Sequence, residues 1–121
     1  MAKGVALVTG GGRRIGAEIT ASLIDEGWYV LVHVRSSKKE ATKLLEQKSI
    51  DASGSVVGEV IEADLATDDG LESLIKQTKA AIQAQDSGGL GVLVHNASIY
   101  KSKDYESVSL EELRLNTRIH F

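Results

Sequence analysis

Residues 4–16 read Gly-Val-Ala-Leu-Val-Thr-Gly-Gly-Gly-Arg-Arg-Ile-Gly, and this stretch decides the fold. It begins with a short apolar run closed by glycines, which is typical of a buried parallel strand. Ile15, Ile19 and Leu23 then recur at every fourth position. That spacing predicts a helix whose inward face carries these three side chains and which ends near Gly27. A strand, a glycine-rich turn and a helix form the start of a βαβ unit.

The alternation of strands and helices continues along the chain. Apolar runs predict three further strands, at residues 28–34, 55–61 and 91–95. Helices between and after them are indicated by capping boxes at residues 37–40 and 109–112 and by an apolar stripe at helical spacing, formed by Leu71, Leu74, Ile75, Thr78 and Ile82. The sequence therefore predicts one α/β domain over residues 1–121, a doubly wound parallel sheet of four strands with a helix after the fourth. A flavodoxin-like sheet is the alternative.

The composition excludes several classes of protein. The 14 Lys and Arg residues face 17 Asp and Glu residues, a formal net charge of -3, whereas proteins that bind nucleic-acid phosphates usually carry a basic excess. The absence of cysteine excludes disulfides, thiolate metal sites and cysteine nucleophiles, and three histidines argue against a multi-histidine metal site. No apolar run approaches the length of a membrane span, and no signal-peptide segment follows Met1. We therefore expect a cytoplasmic protein without metal, membrane or nucleic-acid partners.

The turn after the first strand is the first candidate site. Residues 9–16 have the pattern T-G-x-x-x-R-x-G, which differs from the G-x-G-x-x-G fingerprint because position 15 is isoleucine. Doubly wound folds place a pyrophosphate at this turn, where glycines let phosphate oxygens approach and a helix N-terminus offers free N–H groups. The position of the turn, more than its glycine content, indicates a nucleotide site.

The end of the second strand carries the second signal. A site for NAD needs a carboxylate there, about 20 residues past the glycines, to bind the ribose 2′-hydroxyl. This chain has Arg35 and Ser36 instead, and a guanidinium and a hydroxyl suit a 2′-phosphate. The sequence therefore predicts a preference for NADPH over NADH, and the alternative is that Arg35 is an ordinary surface arginine.

Three motifs in order resemble the short-chain dehydrogenase/reductase superfamily. They are T-G-x-x-x-[small or basic]-x-G at residues 9–16, Ala-Asp-Leu at residues 63–65 and His-Asn-Ala-Ser at residues 95–98. Within the superfamily, Arg14 and the Asn-Ala-Ser sequence are most similar to the pteridine reductase branch. The resemblance implies a Rossmann fold and an NADP(H)-dependent reductase with a pterin or dihydrofolate substrate. Because 3-oxoacyl and sugar reductases share the same cofactor half, a carbonyl reductase is the alternative.

The resemblance also implies a role for particular residues. The cofactor would be bound at the pyrophosphate by Gly10, Arg13, Arg14, Ile15 and Gly16, at the 2′-phosphate by Arg35 and Ser36, at the adenine by Asp64 and Leu65, and toward the nicotinamide by Asn96, Ala97 and Ser98. For Asp64, a plain N-cap or turn aspartate is the alternative. Arg14, Ser98 and Tyr100 would contact the substrate, with Tyr100 stacking on the pterin ring; an ordinary loop tyrosine is the alternative. Asn116 resembles the helix asparagine that positions a water of the family's proton relay.

The family's catalytic Tyr-x-x-x-Lys motif does not occur in these 121 residues. Tyr29, Tyr100 and Tyr105 are followed at the fourth position by residues other than lysine. The tyrosine delivers a proton and the lysine lowers its pKa, so we expect the chain alone to be inactive. We expect the motif in a C-terminal half, and a companion polypeptide or a homo-oligomer would cover the fourth strand. The alternatives are a non-catalytic NADP(H)-binding module that regulates a longer paralogue, and a fragment without function.

Overall fold

The structure, a computed structural model, describes residues 3–12, 14–36 and 38–95. Strands and helices alternate in this part of the chain, in the order β1 (Val5–Thr9), α1 (Arg14–Asp25), β2 (Tyr29–Val34), α2 (Lys38–Asp51), β3 (Gly58–Glu62), α3 (Asp68–Ala84) and β4 (Leu90–His95). Each predicted strand is present. Ser37 of the first predicted capping box and the whole predicted helix from residue 109 lie outside the described residues.

The four strands form one parallel sheet in the order β3-β2-β1-β4. The central strand β1 pairs with β2 on one side, where Val5 lies opposite Tyr29, and with β4 on the other, where Val5 lies opposite Leu90. The strands run in one direction because each connection between them contains a helix. This order confirms the doubly wound parallel sheet and excludes the flavodoxin-like alternative, in which β1 would lie between β2 and β3.

The core has two layers, one on each face of the sheet. Alternate residues of β1 point to opposite faces, so that Leu7 joins the layer under α3 and Val8 joins the layer under α1 and α2. The α3 layer includes four of the five residues of the predicted apolar stripe as buried side chains, namely Leu71, Leu74, Thr78 and Ile82. The prediction for this helix is confirmed, with Ile75 partly buried at the margin of the same layer.

The inward face predicted for α1 is wrong at its start. Ile15 is 65% exposed, whereas the buried residues of α1 are Gly16, Thr20 and Ile24. The first turn of α1 lies beyond the carboxyl end of β1, so Ile15 has no strand to cover it. The helix instead approaches the glycine turn through the small residues Gly16 and Thr20.

The ends of two elements show how local hydrogen bonds set their limits. The α1 helix is closed by Gly27, whose φ is +99°, with Trp28 N–H donating to the Leu23 carbonyl at 3.0 Å, as the sequence predicts. Strand β3 begins at Gly58 and not at Ser55. Ser49 Oγ donates to the Ser55 carbonyl at 2.7 Å, which holds this part of the chain against the end of α2.

Candidate nucleotide site

The predicted site residues that the structure describes gather at the carboxyl ends of the strands. The glycine turn follows β1, Arg35 and Ser36 follow β2, and Asp64 follows β3. The chain leaves β1 toward β2 and later returns to the other side of β1 to form β4. Ligands of open α/β sheets bind outside the carboxyl ends of the strands at such a reversal of strand order. The topology therefore brings together three segments that are far apart in the sequence.

The glycine turn is fixed by hydrogen bonds and by close packing. Gly10 has a φ of +64°, a conformation that favours glycine. Gly11 N–H donates to the carbonyl of His33 at 2.9 Å, and the Thr20 hydroxyl donates to the carbonyl of Gly11 at 3.2 Å. A Cβ atom at Gly11 would lie 2.9 Å from Thr20 Oγ1 and 3.1 Å from Val32 Cγ1. Only glycine fits between β2 and α1 at this position.

The N-terminus of α1 lies next to this turn. Arg14 and Ile15 are exposed, Gly16 is buried, and the first turn contains no acidic residue. The free N–H groups and the positive end of the helix dipole attract an anion here. Arg14 has a φ of +50°, in the left-handed region that costs about 1–3 kcal/mol for a residue other than glycine.

Arg35 and Asp64 lie next to each other at the ends of β2 and β3. Arg35 Nε is 4.0 Å from Asp64 Oδ1, and the two side chains are 58% and 41% exposed. Such a loose and exposed pair holds its members only weakly, so the guanidinium can turn to a phosphate. Ser36, also exposed, adds a hydroxyl beside it.

Asp64 also shapes the turn that leads into α3. Its Oδ1 accepts from the Ala66 N–H at 3.0 Å, and its carbonyl accepts from the Thr67 hydroxyl at 3.0 Å. The structure thus gives Asp64 a role in a turn, which is the alternative to the predicted contact with the adenine. Its side chain nevertheless remains exposed at the site, beside Arg35. Leu65 is 1% exposed and belongs to the core, so only its backbone faces the site.

Two residues of this site were missed from the sequence. His33 is 1% exposed on β2, and its Nδ1 accepts from the Gly10 N–H at 3.1 Å while Nε2 lies 2.8 Å from the Ala63 carbonyl. Thr20 is fully buried and holds Gly11. The available signal was a polar residue in an apolar setting, His33 between two valines and Thr20 one helical turn after Gly16.

The remaining predicted site residues lie outside the described part of the chain. They are Arg13, Asn96, Ala97, Ser98, Tyr100 and Asn116. Within residues 3–12, 14–36 and 38–95, no three acidic or histidine side chains form a group that could hold a metal ion. The same residues contain no helix long and apolar enough to cross a membrane.

The chemistry of the donor set fits a dinucleotide with an additional phosphate. A pyrophosphate suits the head of α1, where Arg14 adds a positive charge. The end of β2 offers a guanidinium and a hydroxyl, which bind a phosphate group, and no carboxylate that would bind a ribose hydroxyl. The residues at the turn and at the two strand ends therefore match the two phosphate-bearing parts of one extended ligand.

Comparison with known proteins identifies related sequences. Residues 4–119 match the short chain dehydrogenase family. The hydroxynaphthalene reductase of Aspergillus fumigatus is 37% identical over 118 residues, which are 94% of this chain and 40% of that protein. The 3-oxoacyl-[acyl-carrier-protein] reductase of Staphylococcus aureus is 38% identical over 94 residues, which are 78% of this chain and 35% of that protein. The chain thus spans about two fifths of the length of these curated relatives.

A solved structure shares both the fold and part of the sequence. The NADP complex of FolM alternative dihydrofolate reductase 1 from Brucella canis superimposes with a TM-score of 0.76 and 26% identity. The match covers 98% of this chain and 49% of that one. The sheet, the glycine turn and the family match agree, and the chain belongs to the short chain dehydrogenase family.

Proposed function

We propose that this chain is the NADP(H)-binding part of a short-chain reductase. The observation that carries the proposal is the pair Arg35 and Ser36 at the end of β2, beside the glycine turn, where an NAD site would have a carboxylate. The NADP in the solved relative supports the same choice of cofactor. Bound NADPH would supply a hydride, and the residues of this chain would bind and orient it.

The proposed contacts follow the three segments at the carboxyl edge of the sheet. The pyrophosphate would lie on Gly10, Arg13, Arg14, Ile15 and Gly16, the 2′-phosphate on Arg35 and Ser36, the adenine on Asp64 and the Leu65 backbone, and the nicotinamide side on Asn96, Ala97 and Ser98. Since the 121 residues contain no Tyr-x-x-x-Lys motif, we expect this chain alone to bind NADPH without oxidising it. Steady NADPH oxidation by the pure chain would contradict that expectation, because it would require another proton donor.

Replacement of Arg35 tests the assignment of the cofactor. Arg35→Ala removes a charge-assisted hydrogen bond to the 2′-phosphate and should weaken NADPH binding roughly ten- to a hundredfold while leaving NADH binding unchanged. Lys79→Ala, which removes an exposed positive charge on α3, is the matched control and should change neither affinity. Equal weakening of NADPH and NADH by Arg35→Ala would place Arg35 away from the 2′-phosphate.

For the substrate we propose a pterin or dihydrofolate. Arg14 at the start of α1, the Asn-Ala-Ser sequence at residues 96–98 and the likeness to the alternative dihydrofolate reductase support this class. Tyr100 would stack on the pterin ring, and Arg14 and Ser98 would contact it. Tyr100→Ala should weaken binding of dihydrobiopterin to the NADP⁺-loaded chain and leave NADPH affinity unchanged. Unchanged pterin binding in this variant would remove the stacking role.

A carbonyl compound is the second candidate for the substrate. The hydroxynaphthalene and 3-oxoacyl reductases are the relatives of higher identity, and their names indicate substrates with a ketone or a ring hydroxyl. The two candidates are distinguished by titrating the NADP⁺-loaded chain with dihydrobiopterin and with acetoacetyl-coenzyme A. Binding of the thioester alone would favour the carbonyl candidate.

A further inference from the structure

His33 connects three strand ends that the proposed cofactor site depends on. Its main chain and side chain both reach the glycine turn, since its carbonyl accepts from Gly11 N–H at 2.9 Å and its Nδ1 accepts from Gly10 N–H at 3.1 Å. On the other side of the ring, Nε2 lies 2.8 Å from the carbonyl of Ala63, the residue before Asp64. Arg35 lies two residues after His33, directly beyond the end of β2.

The two partners determine the protonation state of the ring. The Ala63 carbonyl can only accept, so Nε2 carries a hydrogen, and the Gly10 amide can only donate, so Nδ1 carries none. Burial lowers the pKa of His33, and the hydrogen bond with the Ala63 carbonyl and the nearby charge of Asp64 oppose that effect without outweighing it. The side chain is therefore a neutral imidazole with a defined tautomer, and a second proton would face the Gly10 N–H.

A neutral ring fixed at both nitrogens sets the distance between the phosphate turn and the strand ends. The turn carries Gly10, whose backbone is to face the pyrophosphate, while Arg35 and Asp64 are to bind the adenosine end of the same ligand. An extended ligand binds more tightly to sites that are already correctly spaced, because the protein then loses less conformational entropy on binding. The ring thus acts on the ligand through the residues that it holds.

We propose that His33 is a positioning residue of the dinucleotide site, whose acceptor nitrogen sets the Gly10 turn for the pyrophosphate. This inference rests on the proposed NADP(H) function and assigns a role to a residue that contacts the cofactor only through others. In this proposal the two hydrogen bonds of the ring have different roles. The bond to Gly10 orders the phosphate turn, and the bond to Ala63 fixes the ring.

A matched pair of variants separates these two hydrogen bonds. In His33→Asn the side-chain oxygen can occupy the place of Nδ1 and accept from Gly10, whereas in His33→Gln the side-chain nitrogen can occupy the place of Nε2 and donate to Ala63. Each variant keeps one bond of two, so both should lose similar thermal stability. NADPH affinity should stay near that of the unmodified chain in His33→Asn and fall about three- to tenfold in His33→Gln.

The unmodified chain provides a test that needs no variant. Nitrogen-15 NMR should show the Nε2–H tautomer of His33 at pH 7.5 and a coupling across the hydrogen bond from Gly10 N–H to Nδ1. An Nδ1–H tautomer, or equal NADPH affinities in the two variants, would overturn the positioning role while NADPH binding by the unmodified chain still upheld the proposed function. Failure of the unmodified chain to bind NADPH would overturn both, and the spectrum would show whether the hydrogen bond itself is present.

Discussion

At the scale of single residues, polar groups among the apolar strands carry most of the information about the site. Gly10, Arg35 and Ser36 could be placed at the carboxyl edge of the sheet because each follows a predicted strand, whereas Asp64 was singled out only by the resemblance at residues 63–65. The role of His33 could not be predicted, because its partners directly follow β1 and β3 and come near it only through the pairing of β2 with both strands. A sequence gives no register between distant strands, so a polar residue in an apolar run is visible while its partners are not.

Arg14 allows stability and binding to be separated by one substitution. Its φ of +50° is unfavourable for arginine and favourable for glycine. Arg14→Gly should therefore keep or raise the free energy of unfolding, by up to about 1 kcal/mol, while weakening NADPH binding through loss of the guanidinium. Urea unfolding and fluorescence titration measure the two effects. Retained affinity would show that the guanidinium does not contact the cofactor, and lower stability would show that the left-handed conformation at this position is not costly for arginine.

The environment of Tyr29 predicts that the free energy of unfolding falls under alkaline conditions. Its hydroxyl donates to Glu59 Oε1 at 3.1 Å, and burial, together with the charge of Glu59 and this hydrogen bond, raises the pKa of Tyr29 to about 12. The stabilising effect of the neutral tyrosine is complete below pH 10 and is lost as the pH rises from 10 toward 12, because the unfolded chain ionises first.

The corresponding test compares Tyr29→Phe with the unmodified chain. Between pH 8 and pH 11 the unmodified chain should lose about 1 kcal/mol more unfolding free energy than Tyr29→Phe does. Urea unfolding at the two pH values measures this difference, and the comparison removes the contribution of lysines that titrate in both proteins. Equal losses would mean that the tyrosine ionises alike in the folded and unfolded chains.

At the scale of elements, helix faces and helix ends were predicted with unequal success. The apolar stripe of α3 is predicted correctly because a long helix that covers one face of a sheet repeats its spacing of buried residues over several turns. The prediction for the face of α1 is wrong at Ile15, where the helix extends past the sheet and the small residues Gly16 and Thr20 are buried instead. The end of α1 was predicted from Gly27. The ends of α2 and α3 are followed by Ser53 and Asp86 in the left-handed conformation, and because neither residue is glycine, the sequence does not indicate these ends.

Gly70 in the first turn of α3 tests how closely that helix approaches the site. Alanine normally improves a helix position held by glycine by about 1 kcal/mol. Here a Cβ atom would overlap the carbonyl of Asp64, which also accepts from Thr67. Gly70→Ala should therefore lower the free energy of unfolding by about 1–3 kcal/mol and weaken NADPH binding through displacement of Asp64.

The matched control is Glu72→Ala, an exposed position two residues further along α3. It should leave both the free energy of unfolding and the NADPH affinity nearly unchanged. Thermal unfolding and fluorescence titration of the two variants provide the comparison. Higher stability in Gly70→Ala would show that the first turn of α3 can move away from Asp64 at no cost.

At the scale of the whole molecule, alternation of strands and helices was enough to predict a parallel sheet. The order β3-β2-β1-β4 was not derivable from periodicity, because strand pairing on either side of β1 gives the same pattern of apolar residues. That order nevertheless forms the candidate site, since it brings the turn after β1, Arg35 and Asp64 to one edge. The relatives extend beyond the length matched here, since the match covers 40% of the hydroxynaphthalene reductase and 49% of the alternative dihydrofolate reductase.

The central claim is that this edge of the sheet distinguishes NADPH from NADH through its 2′-phosphate. Calorimetric titration of the unmodified chain with each cofactor, at one pH and one ionic strength, measures the distinction directly. The account predicts a dissociation constant for NADPH that is roughly ten- to a hundredfold lower than that for NADH, because Arg35 and Ser36 meet a phosphate in only one of them. Equal dissociation constants, or tighter binding of NADH, would contradict it.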